Sequence, residues 1–167
     1  MTVILNFGCF RLERKTGLRG GGIAFYCRKG IKTSAKLKSN ADSTTESLGI
    51  EIQGLNHQKR MIIYNPHRLN NLATFFDQLK SISLIYENVI ICADFNIKLL
   101  WSDLLSQRCF DNITTCGLYI VKRYPTRFAP NCNPALPDIM ACSDKSLSIH
   151  FVQLSLVECF DHDVLCL

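Results

Sequence analysis

A short run near the middle of the chain, residues 89–92, consists of apolar side chains only. A strand that faces water on one side alternates apolar and polar residues, whereas a short run that is apolar throughout is typical of a strand covered on both faces. The next four residues, 93–96, read Ala-Asp-Phe-Asn. We therefore predict a central sheet strand over Val89–Ala93 that ends in polar side chains.

Other segments supply partners for this strand. Apolar runs bounded by turn residues predict strands over Gly22–Tyr26, Arg60–Tyr64 and Val164–Leu167. Shorter strands are expected around residues 48–52, 119–121, 139–141 and 149–156. Residues 32–45 are polar, and we predict a loop there.

Two segments have the spacing of amphipathic helices. The first, Leu72–Ser83, follows a possible N-cap, and its apolar positions are Leu72, Phe75, Phe76, Leu79 and Ile82. The second, Ser102–Cys116, ends before Gly117, and its predicted inner face is Leu105, Cys109 and Ile113. Strands mixed with two helices predict an α/β (α+β) layered sandwich, in which helices flank the β-sheets of a single domain, residues 1–167.

The nine cysteines form no C-x-x-C pair, so we do not expect a zinc site. Their odd number, without a signal peptide pattern, predicts reduced thiols in the cytoplasm or nucleus and not in a secreted protein. The longest apolar stretch, residues 82–95, is interrupted by acidic and amide residues and is too short to cross a membrane.

The charge is unevenly distributed along the chain. Residues 1–60 hold eleven Lys and Arg against four Asp and Glu, a net +7, whereas residues 61–167 hold eight against ten, a net −2. A basic first half suits a polyanionic partner such as nucleic acid, although a solvated basic surface is the commoner meaning of charge alone.

Polar residues end four of the predicted strands: Tyr64, then Asp94 with Asn96, then Asp138, then Asp161 with His162. Catalytic groups often lie at such strand ends, because the sheet fixes them while the loops give access. Each cluster alone also fits a simple turn, since Asp and Asn commonly cap their own backbone. Their order along the chain is what makes them specific.

That order resembles the endonuclease/exonuclease/phosphatase family, and most of all the apurinic-type endonuclease domain of non-LTR, LINE-like retrotransposons. The resemblance begins with a Gly-rich turn and strand at residues 20–28 and a Glu before a strand at residues 46–52. It continues through a series of short motifs: Tyr64-Asn65-Pro66, Ala93-Asp94-Phe95-Asn96, Trp101, Pro125-Thr126, Asp138-Ile139 and Asp161-His162.

The resemblance implies a metal-dependent phosphodiester hydrolase that nicks DNA. Asp94 would orient or deprotonate the attacking water, and Asn96 would hold that water or a phosphate oxygen. Tyr64 would donate a hydrogen bond to a phosphate oxygen. His162 would hydrogen-bond the scissile phosphate, with Asp138 fixing its tautomer.

The resemblance also implies a cofactor and a partner. Asp161 would help to hold Mg²⁺, which prefers carboxylate oxygens. DNA would be the partner, contacted through phosphates by the basic first half. We expect a monomer that binds neither a membrane nor a small-molecule cofactor.

The family domain begins with one strand carrying an Asn and another ending in a metal-binding Glu, and we expect both to be missing before residue 1, so that this domain is N-terminally incomplete. Three small residues of the family motifs are replaced by Ala93, Ala135 and Phe160. We therefore expect this copy to be impaired. The alternative is an inactive transposon remnant that at most binds nucleic acid. A phosphatase acting on lipid or sugar phosphates is a third possibility within the same fold.

Overall fold

The computed structural model describes residues 6–12, 22–39, 46–54, 59–66, 72–95, 103–121, 124–128, 133–154 and 164–166. Ten strands and two α-helices lie in these ranges. The strands are β1 Phe7–Leu12, β2 Ile23–Arg28, β3 Thr33–Lys38, β4 Leu48–Gln53, β5 Lys59–Pro66, β6 Asn88–Asp94, β7 Tyr119–Ile120, β8 Asp138–Cys142, β9 Val152–Leu154 and β10 Val164–Cys166. The helices are α1 Leu72–Ser83 and α2 Leu104–Thr115, and a 3₁₀ helix spans Lys145–His150.

Six strands form one mixed sheet in the order β3-β4-β5-β6-β8-β7. Strands β5 and β6 are parallel and are connected through α1, while β6 and β8 are antiparallel. A parallel pair needs a crossover connection of this kind, since a tight turn can join only antiparallel strands. The two remaining sheets are the hairpins β1-β2 and β9-β10.

Both helices pack on one face of the six-stranded sheet. This face is supplied mainly by alternate residues of β6 and β8, and the core there comprises Phe75, Phe76, Leu79, Val89, Ile91, Ala93, Phe95, Cys109, Ile113, Cys116, Leu118, Leu136, Ile139 and Ala141. Alternate residues of a strand point to opposite faces, so the other set in β6, Ile90, Cys92 and Asp94, points away from the helices.

The hairpin β1-β2 covers part of the opposite face. Leu12 and Ile23 from the hairpin form a second buried cluster with Leu48 and Ile50 of β4. The molecule is therefore layered, with helices on one side of the large sheet and a small sheet on the other. This arrangement confirms the predicted α/β (α+β) sandwich.

The predicted elements agree with the structure at most positions. Helix α1 has the predicted bounds, and the four strands predicted with definite bounds are found with ends displaced by no more than two residues. Gly117, with φ of +72°, follows α2 as predicted. Asn71, the expected cap of α1, lies outside the described residues.

Four expectations were wrong. Residues 33–38, expected in a loop, form β3, because backbone pairing with β4 stabilises a strand most of whose side chains are polar. Leu105, predicted on the inner face of α2, is 42% exposed, and Ser106 is buried in its place. The helix begins after Asp103 and not directly after Ser102. The strand expected over residues 149–156 is shorter, since a 3₁₀ helix extends to His150.

Within the described ranges, no helix has both the length and the apolar character needed to cross a membrane.

Candidate active site

Asp94 and Asp138, which lie 44 positions apart in the sequence, are direct partners across β6 and β8. Asp94 is the last residue of β6 and Asp138 is the first residue of β8. The two strands are antiparallel, so the end of one lies beside the start of the other. Both side chains are partly exposed. They point to the sheet face opposite the helices, since directly paired residues share a face.

The side chain of Asp138 is held by a buried threonine. The Thr126 hydroxyl donates a hydrogen bond of 2.7 Å to Oδ2 of Asp138. Thr126 is 2% exposed, and its backbone N–H donates to the carbonyl of Ala135 at 2.9 Å. Gln153 of β9 donates a 2.6 Å hydrogen bond to the neighbouring carbonyl of Pro125. Asp138 therefore has one oxygen committed to a rigid donor before any substrate binds.

The end of β6 is fixed by the residue that follows Asp94. The backbone N–H of Phe95 donates to the carbonyl of Pro137 at 2.9 Å. The Phe95 ring is buried against α1, with its centroid 6.0 Å from that of Phe75 and 6.1 Å from that of Phe76. An aromatic ring anchored in the core stabilises the backbone turn that positions the Asp94 carboxylate.

Cys92 lies two residues before Asp94 and on the same face of the sheet. Burial raises the pKa of its thiol to about 11. A thiol acts as a nucleophile only when it is ionised. Cys92 is therefore a neutral packing residue near neutral pH, which leaves Asp94 as the candidate reactive group on this part of the strand.

Glu46 is a buried carboxylate at the start of β4, where it is 8% exposed. Its Oε2 accepts a 3.3 Å hydrogen bond from the backbone N–H of Gly22. Gly22 has φ of +93°, a conformation that favours glycine. The interaction joins the turn before β2 to the start of β4, so a Glu at this position and a Gly at residue 22 support the same local structure.

The strand register places Glu46 at the same sheet edge as the aspartate pair. Leu48, two residues after Glu46, is opposite Tyr64 of β5. Pro66, two residues after Tyr64, is opposite Asp94. Neighbouring strands lie about 4.8 Å apart, so the backbones of Glu46 and Asp94 are separated by roughly 10 Å. Three acidic residues thus share one edge of the sheet.

The other predicted site residues are described only in part or not at all. Tyr64 is paired with Cys92 through its backbone, and its side chain lies outside the described part of the molecule. Asn96, Asp161 and His162 also lie outside the described residues. The roles assigned to these four side chains remain predictions.

A metal site is not complete in the part of the chain that the structure describes. There, no group of three or more His, Cys, Asp or Glu side chains gathers closely enough to hold an ion. Asp94 and Asp138 supply carboxylate oxygens, which are ligands that Mg²⁺ prefers. Their donor chemistry fits the ion, but two carboxylates fall short of a full ligand set.

Two residues of this site had no role assigned from the sequence. Thr126 belonged to a Pro-Thr motif, and only its hydrogen bond to Asp138 shows what its hydroxyl does. Glu46 was noted as a Glu before a strand, and only the register shows that it lies at the edge of the sheet with Asp94. The signal for both was their place in the motif series.

The layered fold is similar to that of several solved structures, among them an endonuclease domain, an exonuclease and an endonuclease/exonuclease/phosphatase family protein. The endonuclease domain of TRAS1, a telomere-specific non-LTR retrotransposon, is similar, with a TM-score of 0.72 and 14% identity over 97% of this chain and 77% of that one. The 3′-5′ exonuclease NExo from Neisseria meningitidis has a TM-score of 0.69 and 13% identity over 96% and 78% of the two chains.

A third similar structure is an endonuclease/exonuclease/phosphatase family protein from Bacteroides thetaiotaomicron. Its TM-score is 0.54 and its identity 11%, over 97% of this chain and 72% of that one. No family model matches the sequence, and no curated protein matches it either. At these identities the likeness is one of fold, and it agrees with the resemblance seen in the motifs.

Proposed function

We propose that this chain hydrolyses phosphodiester bonds in DNA, in the manner of a retrotransposon endonuclease and with Mg²⁺ as cofactor. The observation that carries the proposal is the direct pairing of Asp94 with Asp138 at a sheet edge. The proposal is supported by the similar fold of a retrotransposon endonuclease domain and of an exonuclease.

In this proposal the two aspartates have different roles because their surroundings differ. Asp138 shares Oδ2 with the hydroxyl of Thr126, so it is suited to hold and orient a neighbouring group, proposed to be His162. Asp94 ends a strand whose backbone is anchored by Phe95, and its partly exposed carboxylate is suited to orient or deprotonate a water molecule. Asn96 and Tyr64 are proposed to contact the water and a phosphate oxygen.

When bound, Mg²⁺ would neutralise negative charge on the phosphoryl oxygens. Asp161 is proposed as its ligand, beside the carboxylate edge formed by Asp94 and Asp138. Because the motif series is altered at Ala93, Ala135 and Phe160, we expect slow hydrolysis.

The test is nicking of supercoiled plasmid by the purified chain, with Mg²⁺ and with EDTA. We expect slow conversion to open circles that requires Mg²⁺. The Asp94→Asn and Asp138→Asn variants preserve side-chain shape and remove the charge. Each should lower the rate by at least about tenfold, since general base catalysis and its support typically contribute that much or more.

The matched control is Asp111→Asn, which removes an exposed carboxylate from α2 without touching the sheet edge. Its nicking rate should equal that of the unchanged chain. Nicking that continues in EDTA, or that survives both aspartate substitutions, would overturn the proposal and point to a contaminating nuclease.

The second candidate is an inactive remnant that binds nucleic acid. The replacement of three small residues of the motif series by Ala93, Ala135 and Phe160 favours it. The same preparation separates the two functions, because a remnant would retain labelled DNA in a gel-shift measurement and show no Mg²⁺-dependent nicking at any protein concentration.

A further inference from the structure

The outer face of the hairpin β1-β2 alternates cationic and aromatic side chains. Phe7 is directly opposite Arg28, and Cys9 is directly opposite Tyr26. Arg11 follows on the same face, which is the face turned away from the buried cluster around Leu12. Phe7 and Tyr26 are 40% and 46% exposed, respectively. We name this surface, formed by Phe7, Cys9, Arg11, Ala24, Tyr26 and Arg28, the hairpin face.

The hairpin face is built on a rigid support. Strands β1 and β2 pair without a break over six residues each. The backbone N–H of Lys29 donates to the carbonyl of Asn6 at 2.8 Å, and that of Ile31 donates to Arg28 at 3.2 Å, which closes the open end of the hairpin. Gly30, with φ of +96°, permits the turn. The backbone that carries the exposed rings is therefore held in a fixed position.

The charge of this surface has one sign. Within the described residues 6–12 and 22–33, the charged side chains are Arg11, Arg28, Lys29 and Lys32, and none is acidic. A fixed positive surface with exposed aromatic rings is complementary to a polyanion whose bases can stack. It is poorly matched to an apolar protein partner, because such a partner would remove these cations from water at a large desolvation cost.

We propose that the hairpin face binds single-stranded nucleic acid. Tyr26 and Phe7 stack on bases, while Arg28 and its neighbours contact the phosphates. The two rings are diagonal neighbours across the hairpin, about 7–8 Å apart. Successive bases in a duplex are stacked about 3.4 Å apart. Bases that occupy both rings must therefore be unstacked, which a single strand permits and a duplex resists.

The hairpin face lies away from the candidate active site. Strand β2 begins beside Gly22, which is bonded to Glu46 at the edge that carries the aspartates. Arg28 is five residues further along β2 than Ile23, or about 17 Å at the usual rise of a strand. Phe7 and Arg28 thus lie at the end of the hairpin that is farther from the candidate active site, and binding measured there does not depend on hydrolysis.

The experiment measures the fluorescence anisotropy of a labelled oligothymidine of about 15 nucleotides, a length within the site sizes of single-strand binders. The buffer contains EDTA, so binding is measured whether or not the chain hydrolyses DNA. We expect Tyr26→Ala to weaken binding about five- to tenfold, the low end for loss of one stacked base. Arg28→Ala should reduce the slope of log affinity against log salt by about 0.7.

The matched control is Tyr119→Ala. Tyr119 is also 46% exposed, but it lies in β7 at the far edge of the large sheet. This variant should bind the oligonucleotide as the unchanged chain does, and Tyr26→Phe should retain most of the affinity. Both Tyr26 variants should give an unchanged circular dichroism spectrum, because the side chain projects from the surface.

Two results would overturn the proposal. One is equal affinity of the unchanged chain and Tyr26→Ala, or equal losses for Tyr26→Ala and Tyr119→Ala. The other is a dimer in sedimentation that Tyr26→Ala dissociates, together with no binding of the oligonucleotide, since the hairpin face would then pair with a second copy of the chain. Failure of plasmid nicking affects neither result.

Discussion

At the scale of single residues, the buried Thr126 contacts the partly exposed Asp138 of the candidate site. The backbone N–H of Thr126 donates to the carbonyl of Ala135, and the Thr126 side chain is almost inaccessible. The Asp138 carboxylate that its hydroxyl contacts is partly exposed. The buried partner therefore determines the orientation of the exposed one. A carboxylate that orients another group is effective only while its own geometry is maintained.

Replacing Thr126 with Val keeps the shape of the side chain and removes its hydroxyl. We expect a loss of about 1.5 kcal/mol in the free energy of unfolding, which is the low end for a hydrogen bond to a charged group. Plasmid nicking should also fall by at least about tenfold, since Asp138 loses its fixed orientation. Urea denaturation and the nicking assay measure the two effects.

Thr126→Ser is the matched variant, because it keeps the hydroxyl and removes only a methyl group. Relative to Thr126→Val, Thr126→Ser should restore more of the lost nicking rate than of the lost free energy of unfolding. If Val and Ser reduce nicking equally, the hydrogen bond to Asp138 does not position that carboxylate.

At the scale of elements, α2 shows how one capping side chain determines where a helix begins. Asp103 precedes the first turn, and its Oδ1 accepts a 2.7 Å hydrogen bond from the backbone N–H of Ser106. That hydrogen bond lowers the pKa of the Asp103 carboxyl below its usual 3.8. An acidic residue at this end of a helix is also favoured by the helix dipole.

We expect Asp103→Ala to lower the urea midpoint of the chain, with Asp103→Asn intermediate because its amide oxygen still caps the helix. The folded pKa is depressed, so the ionised cap stabilises the fold above the unfolded value of 3.8, and this contribution is lost as pH falls through the lower folded pKa. The difference between the unchanged chain and Asp103→Asn should therefore shrink as the pH is lowered from about 6 to about 3. Circular dichroism in urea at each pH provides the measurement, and a constant difference would contradict this account.

The sequence was most informative where one element carries its own signal. The spacing of Phe75, Phe76 and Leu79 predicted α1 with its observed bounds, since that pattern matches a helix packed on one side. The run from Val89 predicted β6 because it is apolar throughout, as is typical of a strand covered on both faces. Strand β3 was missed because its pattern is polar, and it is stabilised by backbone pairing with β4 that no local pattern reveals.

The candidate site shows the same limit. Asp94 was singled out because it ends an apolar strand, and Asp138 because of the motif series. Nothing local predicts that the two are direct partners, since register depends on which strands become neighbours and in which direction they run. The roles of Thr126 and Glu46 follow from the same long-range pairing and were therefore absent from the sequence prediction.

At the scale of the whole molecule, the two buried clusters give different protection to their strands. Strand β6 is paired on both sides, and its residues facing the helices, Val89 and Ile91, are essentially inaccessible. Within the described residues, β1 pairs only with β2, and its outer side chains are exposed. Its attachment to the large sheet depends mainly on Leu12.

We therefore predict that the hairpin β1-β2 opens before the large sheet unfolds. In native-state hydrogen exchange measured by mass spectrometry, amides of β1 and β2 should exchange much faster than those of β6, because opening the hairpin exposes one small cluster and leaves the helix-covered core intact. Leu12→Ala should accelerate exchange in the hairpin and leave β6 unchanged. Ile91→Ala, which truncates a side chain 1% exposed in the main core, should lower the free energy of unfolding by about 2–4 kcal/mol and accelerate exchange throughout the described strands.

If Leu12→Ala accelerated exchange in β6 as much as in β1, the two clusters would unfold as one cooperative unit. The hairpin face would then be as stable as the edge that carries Asp94 and Asp138, and the separation of the two surfaces would be one of position alone.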